Sequence, residues 1–220
     1  MGRRALRKVD PRVDLSPILR KAETLPARFD HAALFPAAAG AERPLEIEVG
    51  SGKGLFISTA PKQHGERDFL GIEIAHKYAE YSAFRIARQG LTNAKMIDGD
   101  AVQLFRMWFP DACAAAVHVY FPDPWWKARH RKRRVMQPAF VKDVERVLRP
   151  GGALHFWTDV EEYFRETLTL LAEETNLTGP ALVLEQPPEH DLDYRTHFER
   201  RMRKHGQAVY RSEFRKPNAV

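Results

Sequence analysis

Cysteine is nearly absent: the 220-residue chain has only Cys113. One thiol cannot form an internal disulfide, and the reading it supports is a buried, inert side chain in a reducing compartment. Long apolar runs are missing too. No stretch approaches the roughly 20 residues of a membrane-spanning helix, and the start MGRRALRKVDPRVDLS has basic residues but no apolar segment behind them to act as a secretory signal. The nine histidines show neither H-E-x-x-H nor any paired-ligand spacing, and one cysteine cannot build a zinc site, so no metal is expected. Internal repeats and low-complexity tracts are also lacking. These absences point to a cytoplasmic protein, and at 44% hydrophobic the chain has enough apolar matter for a sizeable core.

What is present is basic charge, unevenly placed. The net charge is +6. Residues 1–28 hold eight Lys or Arg against three acids, residues 194–220 hold eight against two, and Lys127–Arg134 alone holds six. The rest of the chain is acidic. A single charge run is usually a solvated face, but three such patches, one of them beside tryptophans, favour a polyanion such as nucleic acid. Residues 1–35, with Pro11, Pro17 and Pro26 among scattered charges, read as a basic, partly disordered arm, and residues 36–220 as one domain.

From Pro44 onward, apolar strands alternate with helical stretches. LEIEV, DFLGIEI, AKMID, AAAVHVYF and ALHFWT read as strands. The helices between them begin in KGLFISTAPK, HKYAEYSAFRIARQG (closed by Gly90), AVQLFRMWF, QPAFVKDVERVLRPGG (with a Pro-Gly stop) and VEEYFRETLTLLAEET. This alternation demands a mostly parallel sheet with right-handed crossovers and helices on both faces, an α/β Rossmann-like fold. ALVLEQ and QAVYRSEF read as a terminal antiparallel hairpin.

The chemistry-bearing residues fall after the strands. EVGSGKG, Glu48 to Gly54, places Gly50, Gly52 and Gly54 at a strand-to-helix junction, where they permit a tight turn and a close backbone approach to a ligand. It is not a P-loop, because Lys53 is followed by Gly54, and it is not G-x-G-x-x-G, because the third glycine comes one residue early. Glu73 ends the second strand, where a carboxylate can accept hydrogen bonds from a ribose, and Asp98 and Asp100 follow the third. Any one of these acids alone is more often a loop or cap residue. Acids after four strands of one parallel sheet form a pattern. The fourth strand ends in FPDPWWKARHRKRR, where Pro122 and Pro124 bracket Asp123 and hold it at the strand end. Trp125 and Trp126 either stack on an extruded base or cover the sheet edge. Trp108, Trp157, His118 and His155 lie in apolar segments and read as core, and His130 as a phosphate neighbour.

With these blocks in order, the chain resembles the bacterial tRNA (guanine-N7)-methyltransferase family, class I enzymes that use S-adenosylmethionine. The resemblance runs from about Leu45 to Arg215 and rests on IEVGSGKG, FLGIEIAHK, GDA, FPDPWWKARHRKRR, WTDVEEY and THFERR. Two positions depart from it: Trp126 stands where the family usually has proline, and Ala128 where it commonly has a basic residue. The resemblance implies a seven-stranded methyltransferase sheet and a guanosine substrate, G46 in the variable loop of tRNA. It further implies that Glu48, Glu73, Asp100 and Asp123 contact S-adenosylmethionine together with the glycine turn, Asp123 also being the active-site residue. Lys127, Asp159 and the run Thr196, His197, Phe198 and Glu199 are implied to face the guanosine.

The residue types agree with that chemistry. Guanine N7 has an in-plane lone pair, so methyl transfer needs alignment and electrostatics and no base to strip a proton. Arg129, Arg131, Lys132, Arg133 and Arg134 are the expected contacts to the tRNA backbone. Two other classes remain open. One is an amino-group methyltransferase, although DPWW lacks the second proline of that amine-binding turn. The other is a non-catalytic RNA-binding protein that keeps the fold. Monomer and homodimer are both compatible with the sequence.

Overall fold

The central strands are buried on both sides, as strands covered by helices on two faces must be. β2 (Leu45–Val49) and β3 (Asp68–Glu73) are buried along their whole length, and β5 (Ala114–Tyr120) at all but one position. The structure, a computed structural model, describes residues 6, 8–36, 43–183 and 194–218. Together with β1 (Leu19–Lys21), β4 (Ala94–Asp98), β6 (Leu148–Thr158), β7 (Thr178–Leu182) and β8 (Tyr210–Arg215), these strands form one sheet in the order β1-β4-β3-β2-β5-β6-β8-β7. β1 to β6 are mutually parallel, and β8 runs antiparallel to both β6 and β7. The expected C-terminal hairpin is therefore present; the part of ALVLEQ beyond Val183 lies outside the described residues.

Two features differ from the sequence reading. The sheet has eight strands where seven were expected, and the extra one, β1, comes from the segment read as an arm: Leu19, Arg20 and Lys21 pair with Met96, Ile97 and Asp98 of β4. Pro150 and Gly151 do not terminate the preceding helix. That helix ends at Val147, and Leu148 to Gly152 form an irregular start of β6, with Gly151 at φ 73°.

The helices cover the sheet in two groups. α2 (Phe56–Gln63) and α3 (His76–Arg88) bury Phe56, Ile57, Ala79, Ala83 and Ile86 against Phe69, Met96, Tyr120 and Trp157. On the other face α4 (Ala101–Met107), α5 (Pro138–Val147) and α6 (Glu161–Glu174) contribute Phe105, Phe140, Val144, Tyr163 and Leu171. α5 starts with proline at its first position, where the missing N–H costs nothing. α3 stops at Gly90, whose φ of 63° suits glycine. The short α1 (His31–Leu34) precedes β2, and α7 (His197–Lys204) precedes β8.

The order reverses between β2 and β5: the chain builds outward from β2 through β3 and β4, then returns to place β5 on its other side. A crevice outside the carboxyl ends of the strands opens at such a switch point. His118 is a core residue, as read, whereas His155 is half-buried. His118 Nε2 donates to Glu46 at 2.8 Å and its Nδ1 accepts from the Tyr120 hydroxyl at 2.9 Å, while the His155 ring stacks parallel on it at 4.8 Å. Trp157 is buried. Trp108 is half-buried, packing on Phe29 at 5.0 Å with its indole N–H donating to the Pro26 carbonyl.

Candidate active site

The glycine turn between β2 and α2 is held from two sides. Gly50, Gly52 and Gly54 all have φ between 53° and 77°, the left-handed region that side chains rarely adopt. A Cβ on Gly50 would meet nothing within 4 Å, so its open face is suited to a ligand. Gly54 serves a different end: a Cβ there would stand 2.5 Å from Ser82 Oγ of α3, so the missing side chain lets turn and helix touch. Glu73, at the end of β3, accepts from Gly52 N–H at 2.8 Å and from Ala75 N–H at 2.9 Å. It thus clamps the turn to the neighbouring strand and has further lone pairs available.

Glu48, one strand over, is different in kind. It is 2% exposed, and Oε2 has no hydrogen-bond partner, nor does the buried Ser51 hydroxyl two turn positions on. Burial, opposed by the nearby Ser51 hydroxyl and reinforced by the charge of Glu73, raises the Glu48 carboxyl pKa to about 8. A buried carboxyl oxygen without a donor is costly unless a ligand supplies one. The residues therefore fit a cationic, donor-rich group such as the amino-acid portion of S-adenosylmethionine. The raised pKa also has a sign. The folded state keeps the proton between the ordinary glutamate value and about 8, so stability falls as pH rises through that window. Glu48→Gln should raise the ligand-free melting temperature at pH 8.5 by several degrees and leave it nearly unchanged at pH 5. Equal shifts at both pH values in a calorimetric scan would defeat this account.

The other predicted acids separate into two groups. Asp100 caps α4, accepting from Val102 N–H at 2.9 Å, and Asp98 pairs with His76 at 2.6 Å. Both lie at the carboxyl edge, and both already have a structural task. Asp123 is exposed on the loop that leaves β5, and Asp159 is half-buried after β6. Burial raises the Asp159 carboxyl pKa above its ordinary value, with Arg201 opposing. The Asp123 loop is tightly determined. Phe121 at φ 51° and Trp125 at φ 45° lie in the left-handed region, and Phe121 N–H donates to the Trp157 carbonyl at 2.8 Å. Trp125 packs against His130 at 5.9 Å with the Arg133 guanidinium 5.1 Å from its ring, whereas Trp126 is 66% exposed.

The basic run does not present one uniform face. Arg131 bridges Glu162 and Glu166 of α6 at 2.7 and 3.0 Å. Arg134 is buried, donates to the Pro124 carbonyl at 2.7 Å, pairs with Glu166, and lies over the Tyr163 ring. These two expected phosphate contacts are thus paired with α6, Arg134 buried and Arg131 still 42% exposed, because α6 sets two carboxylates one helical turn apart beside the loop. Lys127, Arg129, Lys132 and Arg133 are outward, with no buried side chain among them.

In the segment Thr196 to Glu199, two of the four residues form a cap. Thr196 Oγ accepts from Glu199 N–H at 2.9 Å, and the buried Glu199 accepts from Arg195 N–H at 2.7 Å while facing Arg203 and Arg211. This is close to the capping box that T-x-x-E spells. Phe198 packs on Phe121 at 5.1 Å and so joins α7 to the Asp123 loop; His197 turns toward α3. Sequence reading passed over Ser82, Arg85 and Arg195. The Arg195 guanidinium lies 5.6 Å from the Phe56 ring at the start of α2. Nothing in their spacing marks them, since each acts across elements.

Among the described residues, no three His, Cys, Asp or Glu side chains converge as a metal site, and no helix is long and apolar enough to cross a membrane. A switch-point crevice with a glycine turn, a carboxylate at the end of the neighbouring strand and a terminal antiparallel hairpin defines a class I S-adenosylmethionine-dependent methyltransferase. The fold is similar to that of an S-adenosylmethionine-dependent O-methyltransferase from Thermotoga maritima, with a TM-score of 0.55 at 15% identity, covering 81% of this chain and 61% of that one. A family described as "Putative methyltransferase" matches residues 42–212. The tRNA (guanine-N(7)-)-methyltransferase of Rhodopirellula baltica is 50% identical over 98% of this chain and 80% of its own, and that of Alcanivorax borkumensis 38% identical over 80% and 74%. The chain belongs to the tRNA (guanine-N7)-methyltransferase family.

Proposed function

We propose that the chain methylates N7 of a guanosine in the variable loop of tRNA, the position numbered 46. The coarser activity, methyl transfer to guanine N7 in tRNA, follows from family membership. The observation that carries the site is the buried Glu48, with one carboxylate oxygen lacking a donor, beside the clamped glycine turn at the switch point. Bound there, S-adenosylmethionine supplies a methyl group activated by a positively charged sulfur.

The chain's own residues then have separable tasks. Glu48 and the open face of Gly50 receive the cofactor's charged end, and Glu73 accepts from its ribose while steadying Gly52. Asp100, already a cap, contributes through its position at the end of β4. Asp123 and Asp159 offer carboxylate acceptors to the guanine N1–H and N2–H donors. They also lower the cost of the positive charge that grows on the ring as N7 is alkylated. Phe198 and Phe121 close the apolar side, and Lys127 stands at the entrance. No group need take a proton from N7.

The test is to incubate the protein with labelled cofactor and two unmodified tRNA transcripts, one with guanosine at position 46 and one with adenosine. Digestion should yield labelled 7-methylguanosine from the first alone. Label in both transcripts would overturn the position, and label on an adenine amine would overturn the reaction.

A further inference from the structure

Two side chains of α3 reach the glycine turn. Ser82 Oγ donates to the Gly52 carbonyl at 3.0 Å, and Arg85 Nη1 donates to the Lys53 carbonyl at 3.3 Å. The same guanidinium nitrogen lies 2.8 Å from Nε2 of His197, the first residue of α7. Arginine has no acceptor atom, so His197 must accept through Nε2 and carry its one proton on Nδ1. The surroundings enforce this form. His197 is half-buried and faces Arg85, Arg200 and Lys53, all cationic, and burial with these charges lowers its pKa to about 4. Nη1 carries two N–H groups, one for the Lys53 carbonyl and one for the His197 ring.

We infer that Arg85 is a positioning residue that couples the two ligand sites, holding the backbone of the cofactor turn and the start of the guanosine-facing helix at once. This rests on the reading that the turn receives the cofactor and α7 the guanosine. A ligand that orders the turn fixes the Lys53 carbonyl, and with it the guanidinium. That presents α7 in its final place, so the second ligand meets a helix already set. The first ligand thereby removes part of the ordering cost of the second. Linkage makes the effect reciprocal: the factor by which cofactor improves tRNA binding equals the factor by which tRNA improves cofactor binding.

The experiment measures that factor with the full chain. Affinity for unmodified tRNA is determined by fluorescence anisotropy with and without saturating S-adenosylhomocysteine, and affinity for S-adenosylhomocysteine by calorimetry with and without tRNA. Wild type should show the same gain in both directions, about fivefold or more, the lower range of typical couplings. Arg85→Ala should bring the factor close to one while S-adenosylhomocysteine affinity in the absence of tRNA stays within about threefold. His197→Gln keeps an acceptor and should retain the coupling; His197→Lys sets cation against cation and should lose it. The proposal is overturned by wild type without coupling, by Arg85→Ala with undiminished coupling, or by Arg85→Ala that loses cofactor binding outright, which would make Arg85 a structural support of the turn. The factor is read from binding alone. A wild-type protein that methylated another nucleoside would therefore defeat the functional reading and leave this measurement intact.

Discussion

Asp123→Ala should lower the rate of methylation at saturating tRNA and cofactor by about a hundredfold or more, the range seen when one electrostatic contact to a transition state is removed. tRNA affinity should stay within a few fold. The expectation comes from how the loop is built. Phe121 and Trp125 both hold left-handed backbone, which costs about 1–3 kcal/mol at each such position and persists only where the surroundings enforce it. Here the enforcement is visible: the Trp157 carbonyl takes the Phe121 N–H, the Arg134 guanidinium takes the Pro124 carbonyl, and Phe198 packs against Phe121. So much constraint around one exposed carboxylate serves to place it. Asp123→Asn separates charge from hydrogen bonding; it should keep part of the guanine recognition and recover a minor share of the rate. If Asp123→Ala instead abolishes tRNA binding with the rate per bound complex unchanged, the carboxylate organises the loop and does not act on the guanine.

The second large effect concerns salt. Replacing Arg129, Lys132 and Arg133 together by alanine should reduce the magnitude of the slope of log K against log salt by about 2, since each lost phosphate contact removes roughly 0.7–0.9. Arg134→Ala should leave that slope unchanged. Its guanidinium is committed to Pro124, Glu166 and Tyr163, and removing it strands the Pro124 carbonyl. The cost should appear as a melting temperature lower by a few degrees and a disturbed Asp123 loop. An unchanged slope in the triple variant, with a normal fold, would assign RNA binding to the terminal basic segments instead.

The contrast between these arginines shows where the sequence stopped being informative. LEIEV, DFLGIE and AAAVHVY announce strands through their apolar residues, LEIEV with Glu46 and Glu48 alternating onto one face, and α3 announces its end with Gly90. The placement of Glu48, Glu73 and Asp123 at one sheet edge followed from strand order alone. The pairing of Arg131 and Arg134 with α6 did not. Glu162 and Glu166 stand one helical turn apart in plain view, but which face of α6 meets the loop is decided by packing some 30 residues away in the chain. β1 escaped for a related reason: three residues among prolines and charges carry no period, and their partner Met96 is 77 positions on from Leu19. Thr196 and Glu199 were read for their resemblance to a substrate segment, while the T-x-x-E signature of a helix cap lay in the same four letters.

β1 also bears on what the N-terminal segment is for. Without it, β4 would be the outermost strand, presenting its unpaired N–H and C=O groups to any extended chain nearby, a template for edge-to-edge aggregation. Its three residues cover Met96 to Asp98 of that edge, and Arg20 and Lys21, both exposed, then put charge on the new margin. Trimming the basic N-terminus to weaken RNA binding would thus remove a protective border as well. A shortened protein that precipitated would be reporting on its sheet and not on its affinity for tRNA.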